Sequence, residues 1–173
     1  AGRNRNGAQG RGKRGAGGRM IYLGIAALVF ALDWYLKIRA EKDLKDDTVR
    51  EVANDHILIR KLHNHGLIFG FMKKWPKAIL YGTAAVTGGV ILYFLGLLKN
   101  GGNVLQKLGC ALTAGGGLNN LLDRKKRGYV TDYFSFNVKW ERLRGIVFNV
   151  SDMFIFLGIF LTVLGEIKKS IKR

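Results

Sequence analysis

The 173-residue chain has one cysteine and one proline, and its 12 Asp and Glu are outnumbered by 29 Lys and Arg, for a formal net charge of +17. The lone Cys110 lies inside an apolar segment. It cannot close an intramolecular disulfide, and clustered zinc ligands are missing, so it reads as a small buried hydrophobe. Ser135, Ser151 and Ser170 have no histidine and acid at a spacing that suggests a triad, which removes the serine-hydrolase classes. The glycine run at 115–117 is not followed by the Lys-Ser/Thr of a P-loop, so it is a packing feature and not a phosphate cradle. His63 and His65, two residues apart, find no third ligand of matching character, and a solvated loop is expected there. No metal and no cofactor are expected.

What the chain does have is apolar residue, 48% of the total, gathered into four segments separated by charge. The basic excess suits an anionic lipid surface or a nucleic acid. The segments decide for lipid and against nucleic acid. Residues 20–38 form the first span expected, about 20 residues being what a helix needs to cross the hydrocarbon core. Asp33 and Lys37 stand four apart on one face near its exit, with Trp34 and Tyr35 at headgroup level. A cleaved leader is the rival, but no small-x-small site follows. Pro76 suits the first turn of a second span over 77–98, whose Gly82, Gly88, Gly89 and Gly96 are available for close helix contacts. A turn at 99–103 leads to a third span over 104–122, and a fourth covers 147–165. Residues 1–19 are basic and glycine-rich with no large apolar side chain, so they are expected to be a disordered tail. Met20 looks like a natural start, which would make that tail foreign to the native chain. The remainder, 20–173, reads as one domain.

Between the spans, the β-branched run at 57–62 and the period-2 alternation at 130–136 suit two strands pairing into a small sheet resting on the membrane. The fold class expected is an all-α membrane protein with four transmembrane helices and that small sheet on the outer face. An even number of spans puts both termini on one side, and the distribution of basic residues favours the cytoplasm for them. The polar residues then gather at the other face. Asp33 and Lys37 leave the first span there, and Asn64 lies in the following loop. Gly116, Asn120, Asp123 and Arg124 lie along one side of the third span, Asp132 follows, and Asn149 and Asp152 open the fourth. None of these clusters is expected at the opposite end. Ionisable groups in hydrocarbon are rare unless they face a partner or a site. Two carboxylates sharing a site cannot both ionise cheaply, so one can take a proton from water while the other donates to a peptide carbonyl.

The same residues resemble a known family. Asn120-Leu-Leu-Asp-Arg124, Gly128-Tyr-Val-Thr-Asp132 and Phe148-Asn-Val-Ser-Asp152 are similar to the signature of signal peptidase II, the lipoprotein signal peptidases. Leu32-Asp33-Trp-Tyr-Leu-Lys37 and Asn64-His-Gly66-Leu-Ile-Phe69 match its two earlier motifs in the same order. The resemblance implies a four-helix membrane aspartyl peptidase with a β-cradle outside, and a monomer in the bacterial cytoplasmic membrane is expected. Its substrate would be a prolipoprotein whose cysteine carries diacylglycerol. By motif position Asp132 and Asp152 would be the catalytic pair. Asn64, Gly116, Asn120, Arg124 and Asn149 would shape the site and hold substrate backbone, Asp123 would be a supporting residue beside Arg124, and Asp33 and Lys37 would be structural or act from behind. Asn119 stands where the family usually has glycine, Ser151 where it has alanine, and Trp34-Tyr35 where it has smaller or polar residues. Two other classes remain at this point: a proton-coupled transporter, which would want mid-membrane acids or an internal repeat, and a non-catalytic membrane scaffold.

Overall fold

The computed structural model describes residues 6–45, 48–66 and 74–171. The chain runs α1 (Asn6–Asp43), β1 (Arg50–Val52), β2 (Ile57–Asn64), α2 (Pro76–Asn100), α3 (Val104–Arg127), β3 (Val130–Phe136), α4 (Glu141–Arg144) and α5 (Val150–Ile171). Among the described residues, three helices are long and apolar enough to cross a membrane, over 17–43, 76–100 and 150–171. α3 is as long, but its buried Gln106, Asn119, Asn120 and Asp123 dilute its apolar character. Helical backbone also reaches back to Asn6, through part of the tail expected to lack order. A Cβ on Gly17 or Gly18 would meet nothing within 4 Å, so packing does not account for that extension.

α3 is the centre of the bundle, with α1, α2 and α5 packed around it. Its ends are strongly specified. Asn103 and Gln106 form a reciprocal capping box at the start, and Gly128 in the left-handed region (φ 79°) closes the end. Gly109, Gly115, Gly116 and Gly117 let the neighbours approach. A Cβ on Gly109 or Gly115 would run into the backbone of α5 or α1, and one on Gly117 would lie 3.0 Å from the Thr87 hydroxyl of α2. Gly158 of α5 faces Gly109 in the same way. Without a hydrophobic drive between helices in lipid, such small-residue contacts bring backbones together. The glycines expected to do this in the second span do not: Gly82, Gly88, Gly89 and Gly96 have open space where a Cβ would be. α2 contacts α3 through larger side chains, with Phe94, Leu97 and Leu98 buried against Cys110, Ala111 and Ala114.

Leu28, Tyr81, Val86, Leu92 and Phe160 are among the large side chains on the outside, whereas the most completely buried include Lys37, Gln106, Asn119, Asn149 and Asp33. That distribution inverts the pattern of a water-soluble domain. Polar side chains that the sequence reading did not single out hold the end away from the sheet. Gln106 Nε2 donates to Glu166 Oε1 at 2.6 Å, Asn103 Nδ2 donates to the Gly165 carbonyl at 2.8 Å, and Tyr93 donates to Glu166. This clamp ties α2, α3 and α5 together where sequence spacing revealed no cluster.

The two expected strands are present and antiparallel, and a short third strand precedes them, giving the order β1-β2-β3. β1 and β2 turn through Ala53, Asn54 and Asp55, all at positive φ (54°, 52° and 62°), a conformation Asn and Asp tolerate better than Ala. β2 runs on to Asn64, so His63 and Asn64 are strand residues and not solvated loop. Residues 67–69 of the second motif lie outside the described residues. The last helix starts at Val150 and not at 147, because Phe148 pairs with Phe134 as an added bridge at the edge of β3. Gly158→Ala is expected to lower the thermal midpoint in detergent, by about 1–3 kcal/mol of overpacking. Gly88→Ala, with open space for its Cβ, should leave it unchanged or raise it.

Candidate active site

α1 and α3 run toward the sheet and α2 and α5 away from it, so the polar ends of α1, α3 and α5 converge beneath β2 and β3. At their meeting point lies the Lys37 ammonium, completely buried. Its Nζ is 3.0 Å from Asp33 Oδ2 and 3.0 Å from Asp123 Oδ2, and donates to Asn119 Oδ1 at 2.8 Å and Asn120 Oδ1 at 2.7 Å. A buried ammonium is tolerated only with such a shell. The i,i+4 spacing of Asp33 and Lys37 placed them as a pair, as expected. Asp123 pairs with Lys37 and lies 3.7 Å from Arg127, while its neighbour Arg124 donates to the Gly66 carbonyl at 3.3 Å. Adjacent helical residues point about 100° apart, so one can turn into the bundle while the next faces the cavity.

Asp33 uses both oxygens. Oδ2 accepts from the Ser151 hydroxyl at 2.6 Å as well as from Lys37, and Oδ1 accepts from the Tyr133 hydroxyl at 2.8 Å and the Val150 N–H at 3.1 Å. Tyr133 neighbours Asp132, and Ser151 neighbours Asp152. One carboxylate of α1 therefore anchors both segments that carry the two other aspartates. Two of the residues that depart from the family's usual pattern join this network, Ser151 at Asp33 and Asn119 at Lys37, with Asn119 Nδ2 also donating to the Phe30 carbonyl at 2.7 Å. Sequence reasoning did not nominate Tyr133; its alternation in β3 and its position beside Asp132 were the available signal. Burial, followed by the charge of Asp33, raises the pKa of its phenol and keeps it a donor.

Above this layer, Asp132 and Asp152 line one cavity of about 240 Å³, together with Asn64, Asn120, Arg124 and the 145–148 segment. Asp132 Oδ1 accepts from Asn149 Nδ2 at 2.7 Å and Oδ2 from Asn64 Nδ2 at 2.9 Å. Asp152 Oδ1 accepts from Asn120 Nδ2 at 3.0 Å. At the start of α5, Asn149 Oδ1 accepts from the Asp152 N–H at 3.0 Å while Asp152 Oδ2 accepts from the Asn149 N–H at 3.1 Å. This is a reciprocal helix cap. A single amide thus holds Asp132 with its nitrogen and the Asp152 backbone with its oxygen. Burial, and next the charge of Asp152, push Asp132 up to about 7. Gly116 does not line the cavity; it acts one layer down, where a Cβ would lie 2.8 Å from the Ser151 carbonyl. Asn64, Asn120, Arg124, Asp132 and Asp152 are brought together at the cavity, Asn149 behind them, and Asp33, Lys37 and Asp123 beneath.

Two aspartates sharing a half-enclosed cavity, one of them poised near neutrality, in a helical bundle with an apolar exterior, define a membrane-embedded aspartic peptidase. Residues 25–168 match the family Signal peptidase (SPase) II, and the chain belongs to that family. It is 33% identical over 147 residues to the lipoprotein signal peptidase of Clostridioides difficile, covering 83% of this chain and 93% of that one. It is 32% identical over 158 residues to that of Histophilus somni strain 129Pt, with 88% and 92% covered. A solved bacterial membrane enzyme, determined by the in meso method at 2.3 Å, shares the fold with a TM-score of 0.75 at 19% identity, over 88% of this chain and 91% of that one. The transporter and scaffold classes are not favoured by these likenesses. The chain is an aspartic endopeptidase of bacterial membranes.

Lys37→Met should destabilise the fold by roughly 3–5 kcal/mol, because Asp33 and Asp123 are left buried and unpaired; thermal unfolding in detergent measures it. The raised pKa of Asp132 also fixes a pH dependence. The folded chain holds this proton more tightly than the unfolded chain, so stability falls as pH rises from about 4 through about 7. Asp132→Asn should show a smaller fall over that interval.

Proposed function

We propose that this chain removes the signal peptide from prolipoproteins whose cysteine already carries diacylglycerol, with Asp132 and Asp152 as the catalytic pair. The observation that carries the reading is the arrangement of both carboxyl groups on one cavity, each oriented by amide donors from other elements. Asp132 holds the proton near neutral pH. Asp152, at the positive end of α5 and receiving the Asn149 N–H, carries the charge. The ionised carboxylate takes a proton from a water lying between the two, and the resulting hydroxide adds to the scissile carbonyl as Asp132 donates to its oxygen. Collapse of the tetrahedral intermediate passes a proton to the leaving amine. Arg124 and Asn64 line the cavity and are the groups this reading assigns to substrate backbone.

A second groove of about 490 Å³ between α2, α3 and α5 shares Asn120 and Arg124 with the catalytic cavity and is otherwise mostly apolar, with Ile79, Val86, Val90 and Ile155 among its walls. That surface suits the acyl chains of a lipidated substrate. In this reading residues 20–173 form one peptidase domain that acts as a monomer, and residues 1–19 are a tail outside it. α3 is the fourth spanning helix: it is 24 residues long, its polar side chains turn inward, and α1, α2 and α5 separate them from lipid. The sheet and site lie at the outer face of the cytoplasmic membrane, and both termini are cytoplasmic.

Asp132→Asn and Asp152→Asn should each abolish cleavage of a diacylated lipobox peptide, a loss of at least about 10³-fold given what acid–base groups contribute together. Both variants should remain folded in detergent, and full activity in either would remove the assignment. Cleavage by the parent chain should decline above about pH 7 as Asp132 loses its proton.

A further inference from the structure

The segment that returns from β3 to α5 carries a surface the reaction does not use. Trp140 is 75% exposed and Leu143 45%, with Phe136 at 40% and Val138 at 38% beside them. Lys139, Arg142 and Arg144 alternate with these side chains and are exposed too. Glu141 is the one acid between Asn137 and Asn149. Among the described residues, no ion pair involves Lys139, Arg142 or Arg144. Arg60 adds to the positive charge, close enough to Arg144 for the two guanidinium groups to oppose one another.

The surface is not a loose loop. Arg60 Nη2 donates to the Arg144 carbonyl at 2.7 Å, the Asn137 N–H donates to the His56 carbonyl at 2.9 Å, and Asn137 Nδ2 donates to the Asp55 carbonyl at 2.7 Å. These bonds tie the two ends of the segment, Asn137 and Arg144, to β2 and to the turn before it. Five residues, 145–149, separate Arg144 from the start of α5. At about 3.3–3.6 Å per residue they keep α4 within roughly 20 Å of the apolar helix, a distance shortened further by the reach of the long basic side chains into the headgroup layer. A rigid Trp among unpaired bases, with aliphatic side chains alongside, is the composition that seats in a lipid interface and not in water.

We propose that residues 138–144 dock on an anionic phospholipid surface, with Trp140 and Leu143 entering the headgroup layer and Lys139, Arg142 and Arg144 meeting the phosphates. Gly145, Ile146, Val147 and Phe148 follow directly and wall the catalytic cavity. Docking therefore holds one wall of that cavity at the lipid surface. Only this last consequence rests on the peptidase reading; the docking itself does not.

The test uses the full chain in vesicles of phosphatidylcholine alone or with about 30% phosphatidylglycerol, the anionic fraction being what attracts basic side chains. Trp140 fluorescence, taken as the difference between the parent and Trp140→Phe, is quenched from the lipid side by brominated chains and from the water side by iodide. Brominated lipid should quench it at least about twofold more in the anionic vesicles, and the Lys139→Gln/Arg142→Gln/Arg144→Gln variant should lose that increment. The single Arg142→Glu variant should lose part of it. Trp140 open to iodide in both compositions, as for a surface that awaits a protein partner, would overturn the proposal. So would a triple variant quenched like the parent. Cleavage of a diacylated peptide should show KM about threefold lower in the anionic vesicles for the parent and unchanged for the triple variant, at similar kcat. Lipid quenching that persists in a chain unable to cleave would sustain the docking while refuting the reaction.

Discussion

The buried ammonium of Lys37 is the interaction on which the rest of this structure depends. An unpaired charge in an apolar bundle costs several kcal/mol, so Lys37 dictates that two carboxylates and two amides converge on it. The four partners come from α1 and from α3. Because Asp33 then reaches on to Tyr133, Val150 and Ser151, the same charge also fixes where β3 and the first turn of α5 lie. Helix packing alone would leave those segments free to slide. The polar centre gives the bundle its register.

From that centre the site is built outward through amides. Asn120 accepts from Lys37 with its oxygen and donates to Asp152 with its nitrogen, and Asn149 accepts from the Asp152 backbone and donates to Asp132. Each amide has its two ends committed to different partners, so neither can flip without breaking a bond on both sides. The same device performs two tasks at α5. The cap that starts the helix is also the contact that presents Asp152 to the cavity, so helix formation and site assembly are one event. Asp132 sits in the low-dielectric side of this arrangement facing a second carboxylate, which is why its proton is held to about neutral pH.

Around this polar axis the glycines of α3 set the distances. They serve on the central helix, where three neighbours compete for space, and not on α2, which has lipid-facing surface to spare. The second polar clamp, Gln106 with Glu166 and Asn103, closes the far end of the bundle. Asn103 and Gln106 lie about sixty residues before their partners Gly165 and Glu166, so no local pattern joins the two halves.

Much of the molecule was legible in the residues themselves. Apolar runs of spanning length bounded by charge mark α1, α2 and α5, and period-2 alternation marks β3. The i,i+4 spacing of Asp33 and Lys37 marks a pair, since each of these signals is written in the geometry of a single element. The ordered motifs likewise named the aspartates that meet at the cavity. Other features depend on contacts between elements. The turn of Asp123 away from Arg124 and toward Lys37, the insertion of Phe148 beside Phe134 that delays α5 to Val150, and the joining of Asn119 and Ser151 to the buried charge are of this kind. A sequence fixes what each segment can do alone; which acid faces which base is settled when the segments exclude solvent together, because only then does an unmet charge become too costly to leave.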